Sequence, residues 1–170
     1  MPTIFTHIVV PLAWRAATRR QPPDARTVFT AMGLTVLPDA DVIAFSFGIP
    51  YASMLGHRGF THSVAFALFT ALLALIWLRP TRARRLAVGA LLLVAAVSHP
   101  LLDALTNGGL GVALLWPWSD ARWFAPWRPV AVSPIGAHFF GPRGVTVLLS
   151  EMLWIWLPLA CTVLMVRSRR

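Results

Sequence analysis

Lysine is absent from this 170-residue chain, and all fifteen of its basic residues are arginine. Only six residues are acidic, so charged side chains make up 12% of the sequence, where an ordinary soluble domain carries roughly a quarter. That shortage argues against a water-exposed globule, and the 57% hydrophobic content argues against disorder. The one cysteine, Cys161, lies inside an apolar run, which excludes an intrachain disulfide framework and a cysteine-based zinc site. Any bound metal must therefore use histidine and carboxylates. No basic stretch precedes the first apolar segment, since the first arginine is Arg15, so no cleavable signal peptide is expected. Internal repeats and low-complexity segments are also missing.

What the chain does have is apolar length. Gly59 to Leu78 runs twenty residues without Asp, Glu, Lys or Arg, and about twenty helical residues at roughly 1.5 Å each span a hydrocarbon core of about 30 Å. It reads as the clearest transmembrane helix. Leu86 to Leu102 is a second run, extended if the helix continues through Asp103 toward Gly108-Gly109, and Gly144 to Val166 is a third, interrupted only by Glu151. Met1 to Trp14 and Thr27 to Pro38 are too short to cross cleanly and read as embedded or sheltered helices. The expected fold class is all-α: one polytopic membrane helical bundle over residues 1–170, with three transmembrane helices and two shorter N-terminal segments.

The formal charge of +9 reads as topology rather than nucleic-acid binding, and the expected partner is the lipid bilayer. Arg15, Arg19, Arg20 and Arg26 fall in the first connection, Arg79, Arg82, Arg84 and Arg85 in the middle one, and Arg167, Arg169 and Arg170 at the end. With five alternating segments these share one side, and the excess of arginine makes that side cytoplasmic. The expectation is an N-terminus outside and a cytoplasmic C-terminus. Residues 107–143 become an outer-face loop whose Trp116, Trp118, Trp123 and Trp127 suit an interfacial aromatic belt.

Ionisable groups within or beside apolar runs are costly, so their positions carry information. Under the arginine-derived topology His7, Asp39, Asp41, His57, His62, His99, Asp103 and Glu151 all lie toward the outer ends of their segments. A common depth lets them converge. His99 and Asp103 are four apart on one helical face, although Pro100 disturbs the backbone between them. His57 and His62 flank the mouth of the Gly59 to Leu78 segment, and Asp39 and Asp41 follow Pro38 at a helix end. Imidazole with carboxylate suits zinc and other first-row ions, and a held ion lowers the pKa of water to give a nucleophile.

Each signal also has a plainer reading. His99 and Asp103 would make a buried hydrogen-bonded pair, and His57 and His62 would cap a helix. Arg58 either anchors its loop or grips a substrate phosphate or carboxylate with its fork. Asp41 caps the next segment or orients a ligating histidine. Glu151 is a ligand, a general acid or an interhelical hydrogen bond. His138, with no carboxylate near it, reads as structural.

These residues carry a resemblance. Leu37-Pro38-Asp39-Ala40-Asp41, His57-Arg58-Gly59-Phe60-Thr61-His62-Ser63, Ser98-His99-Pro100-Leu101-Leu102-Asp103 with Thr106, and Leu114-Leu115-Trp116-Pro117 resemble the YdjM-like family of bacterial inner-membrane proteins, regarded as metal-dependent hydrolases. That family is in turn thought distantly similar to zinc phospholipase C and P1-type nuclease. The resemblance implies ligand roles for His7, Asp39, His57, His99 and Asp103, with Asp103 bridging, and His62 joins them as a further candidate. It implies one or two divalent ions, zinc or manganese, since there is a single HxxxD. Asp41, Arg58 and Glu151 are the expected catalytic residues.

The function expected is a membrane-bound hydrolase using a metal-activated water on a phosphodiester or phospholipid-like substrate, in the bacterial inner membrane with its site toward the outer face. The alternatives are a metal-ion or proton-coupled transporter, which would need polar groups through the whole bilayer depth, and an inactive structural or regulatory membrane protein.

Overall fold

A computed structural model describes residues 1–134 and 136–169; Arg170, counted above with the C-terminal arginines, lies outside them. The described residues form an all-helical bundle with two isolated β-bridges and no strand. We number five helices: α1 Ile4–Ala17, α2 Ala25–Val36, α3 Val64–Leu78, α4 Arg85–Ala104, and α5 Pro142–Ser168, which contains a π-helical turn at Met152–Trp156.

Three helical stretches are long and apolar enough to cross a membrane: Ala25–Phe47, Arg85–Ala104 and Pro142–Ser168. The second and third match sequence expectations. The first corrects one. The segment read as ending at Pro38 tightens into a 3-10 helix over Leu37–Phe47, with Pro38 in its first turn and Gly48 at φ 72° closing it, so the two pieces together reach 23 residues. A proline is tolerated where the first-turn N–H has no partner to lose. Conversely, the charge-free run from Gly59 contains only a 15-residue α-helix. Its first residues form a 3-10 turn at Phe60–His62, and α3 starts where the Ser63 hydroxyl accepts from the Phe66 amide at 3.0 Å.

Helix α3 buries Ala67, Ala71 and Ala74, a small-residue stripe at helical spacing, against α4. Small side chains let two backbones approach where lipid, not water, surrounds the pair. Helix α4 answers with Val88, Leu91, Leu92, Ala95 and Ala96, and α2 adds Ala31 and Leu34. This core is entirely apolar and fills the half of the bundle nearer the arginine-rich connections. The outward faces of α3 and α5 leave large apolar side chains such as Leu72, Trp77, Leu157 and Leu164 uncovered, as a lipid-facing surface should.

Beyond this core, α4 presents His99 and Asp103 inward, both fully buried, so the helix runs past Pro100 without losing their shared face. Trp118, Trp123 and Trp127 of the 107–143 segment are exposed, while Trp116 packs on Phe60 with ring centroids 5.6 Å apart.

Candidate metal centre

Four separate chain segments deliver polar side chains to one buried point. Helix α1 brings His7 from its first turn, the 3-10 helix brings Asp39, the loop before α3 brings His62, and the last turns of α4 bring His99 and Asp103. His7, His62, His99 and Asp103 are fully buried and Asp39 nearly so.

Their separations are informative. Asp39 Oδ1 lies 3.5 Å from His62 Nε2 and 3.6 Å from His99 Nε2, and Asp103 Oδ2 lies 3.4 Å from His62 Nε2. The other oxygen of Asp103 lies 3.7 Å from His7 Nε2. These gaps exceed the roughly 2.7–3.2 Å of a hydrogen bond, and none of the atoms involved has a hydrogen-bond partner. They match the edges of a coordination tetrahedron, because ligands about 2.0–2.2 Å from a shared ion stand roughly 3.3–3.6 Å apart. Asp39, His62, His99 and Asp103 can each offer one donor atom with all four within 4.8 Å of one another.

Unpartnered buried polar atoms cost about 1–3 kcal/mol each. Eight such atoms on these five residues would consume most of a typical domain stability of about 5–15 kcal/mol. The donor set therefore fits a divalent cation, with imidazole and carboxylate suiting zinc and its first-row neighbours.

The surroundings aim these donors. His99 Nδ1 donates to the Thr35 carbonyl at 2.6 Å, which fixes the tautomer that leaves the Nε2 lone pair free. His62 Nδ1 lies 3.2 Å from Asp41 Oδ2, an orientation of the kind a carboxylate gives a metal-binding histidine. His7 stacks on His99 with centroids 4.0 Å apart.

Asp41 sits one layer outside as the hub of the His57 to His62 loop. It accepts from His57 Nδ1 at 2.6 Å, from the Thr61 hydroxyl at 2.8 Å and from the Arg58 amide at 3.2 Å. His57 thus faces Asp41 rather than Asp39, His99 and Asp103; with Asp41 and His62 it forms a second, adjoining group of donors.

Arg58 is fully buried, with Nη1 donating to the Gly108 carbonyl at 2.9 Å, Nη2 to the Thr106 hydroxyl at 2.8 Å, and Nε 3.1 Å from Asp103 Oδ2. Its fork is filled by protein acceptors, so of the two roles left open by sequence the geometry gives it loop anchoring and the charge balance of Asp103. Gly109 is required beside it: φ is +88°, and a Cβ there would meet Arg58 Nη1 at 2.9 Å.

Glu151, expected among the catalytic residues, instead takes the interhelical role. Its two oxygens accept from the Thr3 amide, the Thr3 hydroxyl and the Thr6 hydroxyl, and Trp156 Nε1 donates to Thr6 Oγ1 at 2.7 Å. A carboxylate with so many donors ties α1 to α5 and has little capacity left for an ion. His138 is exposed and stands outside both donor groups.

Arg122 was passed over by sequence reasoning. Its guanidinium donates to the carbonyls of Ser53 at 3.0 Å, His57 at 3.2 Å and Tyr51 and Ala52 at 3.3 Å, clamping the loop that carries His57. Partial burial lowers its pKa from the ordinary arginine value. Because its acceptors are backbone carbonyls, no side-chain pattern in the sequence announces this pairing.

Against known proteins, residues 1–169 match the family described as "YdjM inner membrane protein". The chain is 44% identical over 160 residues to the inner membrane protein YbcI of Escherichia coli K12, covering 93% of this chain and 92% of that one. It is 43% identical over 76 residues to the inner membrane protein YdjM of E. coli K12 and to that of Shigella flexneri, covering 44% of this chain and 35% of theirs. No solved structure matches.

Proposed function

This chain belongs to the YdjM family of inner membrane proteins, and from that premise we propose that it is an inner-membrane hydrolase holding one or two divalent ions, zinc or manganese, and acting on a phosphodiester or phospholipid-like substrate. The observation that carries the reading is the set of carboxylate-to-imidazole separations of 3.4–3.7 Å among buried atoms that make no hydrogen bond, with Asp103 Oδ2 additionally 3.1 Å from Arg58 Nε. Asp39 Oδ1, His62 Nε2, His99 Nε2 and Asp103 Oδ2 would hold one ion. A second ion would find donors in the adjoining group of Asp41, His57 and His62, and His7 Nε2, 3.7 Å from Asp103 Oδ1, would stand beside the first as a further donor.

A divalent cation held by these residues would supply Lewis-acid polarisation of a phosphoryl or carbonyl oxygen and a water acidified toward neutral pH. The chain's own residues do the rest. Thr35 and Asp41 hold the imidazole tautomers, Arg58 offsets the Asp103 charge, and Asp41 with His57 forms a hydrogen-bonded pair beside the cluster, suited to holding and passing a proton. Transport is less well served, because the core between the cluster and the arginine end is lined by Ala67, Ala71, Leu91, Leu92, Ala95 and Ala96 and offers no polar step.

The orientation proposed is a C-terminus in the cytoplasm and the cluster toward the outer face, following the arginine excess. Cysteine labelling at Ser119 and Thr81 tests it: reagent confined to the cytoplasm should reach Thr81→Cys and not Ser119→Cys, and the reverse overturns it. For the chemistry, metal content of detergent-purified protein is compared with the His99→Ala/Asp103→Ala double variant. Retained zinc or manganese in the parent alone, with cleavage from a panel of phosphodiester, phospholipid and amide substrates, supports the reading. A metal-free parent ends it.

A further inference from the structure

The arginine-rich end contains a second binding feature, unrelated to the histidines. A cleft of about 360 Å³ opens between the start of α2, the end of α3 and the start of α4, lined by Arg26, Arg79 and Arg84 together with Thr27 and Thr81. It continues through Arg26 and Arg79 into an exposed trough formed by Leu73, Ile76 and Trp77. Arg26 lies across the Trp77 ring at 4.4 Å from its centroid, which holds its guanidinium at the mouth of the cleft. Asp24 is the acidic residue of the lining; its Oδ1 accepts from the Thr27 amide at 2.7 Å as the cap of α2, and its single charge offsets only part of the field of Arg26, Arg79 and Arg84. Among the described residues no carboxylate lies within ion-pair distance of Arg26, Arg79 or Arg84. Helix α4 also begins here with Arg84 as its N-cap and no capping side chain, so its first amides add to the positive field.

We propose that this cleft binds the phosphate headgroup of an anionic glycerophospholipid, with an acyl chain lying along Leu73, Ile76 and Trp77. Three guanidiniums against one carboxylate leave a net positive cleft that favours a phosphate anion, and guanidinium forks match phosphate oxygens. The adjoining apolar trough selects a lipid over free phosphate, since a soluble anion gains nothing from it. Basic clefts between transmembrane helices are a recurring setting for anionic headgroups. Arginine excess alone would attract anionic lipid diffusely; the proposal differs in predicting one bound molecule with a defined place.

The test is native mass spectrometry and thermal unfolding of the purified protein in neutral detergent, titrated with phosphatidylglycerol, phosphatidylcholine or inorganic phosphate. Phosphatidylglycerol should bind saturably and raise the midpoint, phosphatidylcholine at least tenfold more weakly, and phosphate should not substitute at equal concentration. Arg26→Gln/Arg84→Gln should weaken phosphatidylglycerol at least tenfold. Arg167→Gln/Arg169→Gln, which removes equal charge from the same end but outside the cleft, should stay within twofold. Equal losses from both pairs, equal retention of both lipids, or full replacement by phosphate would each overturn the assignment. Metal content is unaffected in either arginine pair, so this result is separable from that at the histidine cluster.

Discussion

At one end of the bundle, His7, Asp39, His62, His99 and Asp103 lie buried with their donor atoms facing one another and no hydrogen bonds among those five residues. At the other, arginines stand exposed around one carboxylate that is already used as a helix cap. Between the two ends lies a core with no ionisable group. The contrast teaches where each kind of charge is tolerable. Exposed arginines keep their hydration and need no partner, whereas desolvated imidazoles and carboxylates demand one, and the partner that satisfies several at once is a cation.

The largest break in that contrast should come from Asp103→Ala. It removes donors facing both His62 and His7 and leaves the Arg58 guanidinium buried without its counter-charge. Loss of bound metal and destabilisation of about 3–5 kcal/mol are expected, read from metal content and from unfolding in detergent.

Leu92→Ala sharpens the comparison from the other side. Leu92 is fully buried in the apolar core, so the cavity should cost about 2–5 kcal/mol while metal content per folded molecule stays at the parental value. A joint loss would mean that the two halves are not energetically separate.

Asp41→Asn should act more narrowly. It removes the charged acceptor behind His57 and His62 without touching the donors of the first cluster, and outer-layer partners of this kind are worth about 10–100-fold in metal affinity. Competition with a chelator measures the shift, and because Asn keeps only one accepting oxygen for the three donors that Asp41 serves, a loss of about 1–3 kcal/mol in stability should accompany it.

Smallest is Asp24→Ala at the arginine end, where loss of the α2 cap should cost about 1 kcal/mol. The backbone hydrogen bond from Thr27 lowers the Asp24 pKa below the ordinary carboxylate value of 3.8. A lowered folded-state value means that the cap contributes fully above the ordinary carboxylate range and fades as pH falls through the lowered one. The difference between parent and Asp24→Ala should therefore be constant near neutrality and vanish in strong acid.

Much of this arrangement was legible from residue order. Arginine placement and apolar length located the two ends, and the depth argument brought His7, Asp39, His62, His99 and Asp103 together. Helix boundaries were less legible, because charge counting treats Asp39 and Asp41 as stop signals when the chain turns them inward within a continuing 3-10 helix. The same counting gave the Gly59 to Leu78 run too much helix, since it cannot see Ser63 capping α3. His57, expected among the ligands, stands with Asp41 and His62 in a second donor group that adjoins the first, its Nδ1 held by Asp41 at 2.6 Å. Glu151 looked catalytic because a carboxylate in an apolar run invites that reading, and its threonine partners sit some 145 residues away in sequence.

X-ray absorption at the metal edge of the purified protein tests the central claim most directly. The account predicts a first shell of nitrogen and oxygen alone at about 2.0–2.2 Å, with outer-shell imidazole scattering that weakens in His99→Ala, where His62 remains, and is lost when both histidines are replaced. Absence of bound metal, a shell of water oxygens without imidazole, or a spectrum unchanged in His99→Ala would contradict it.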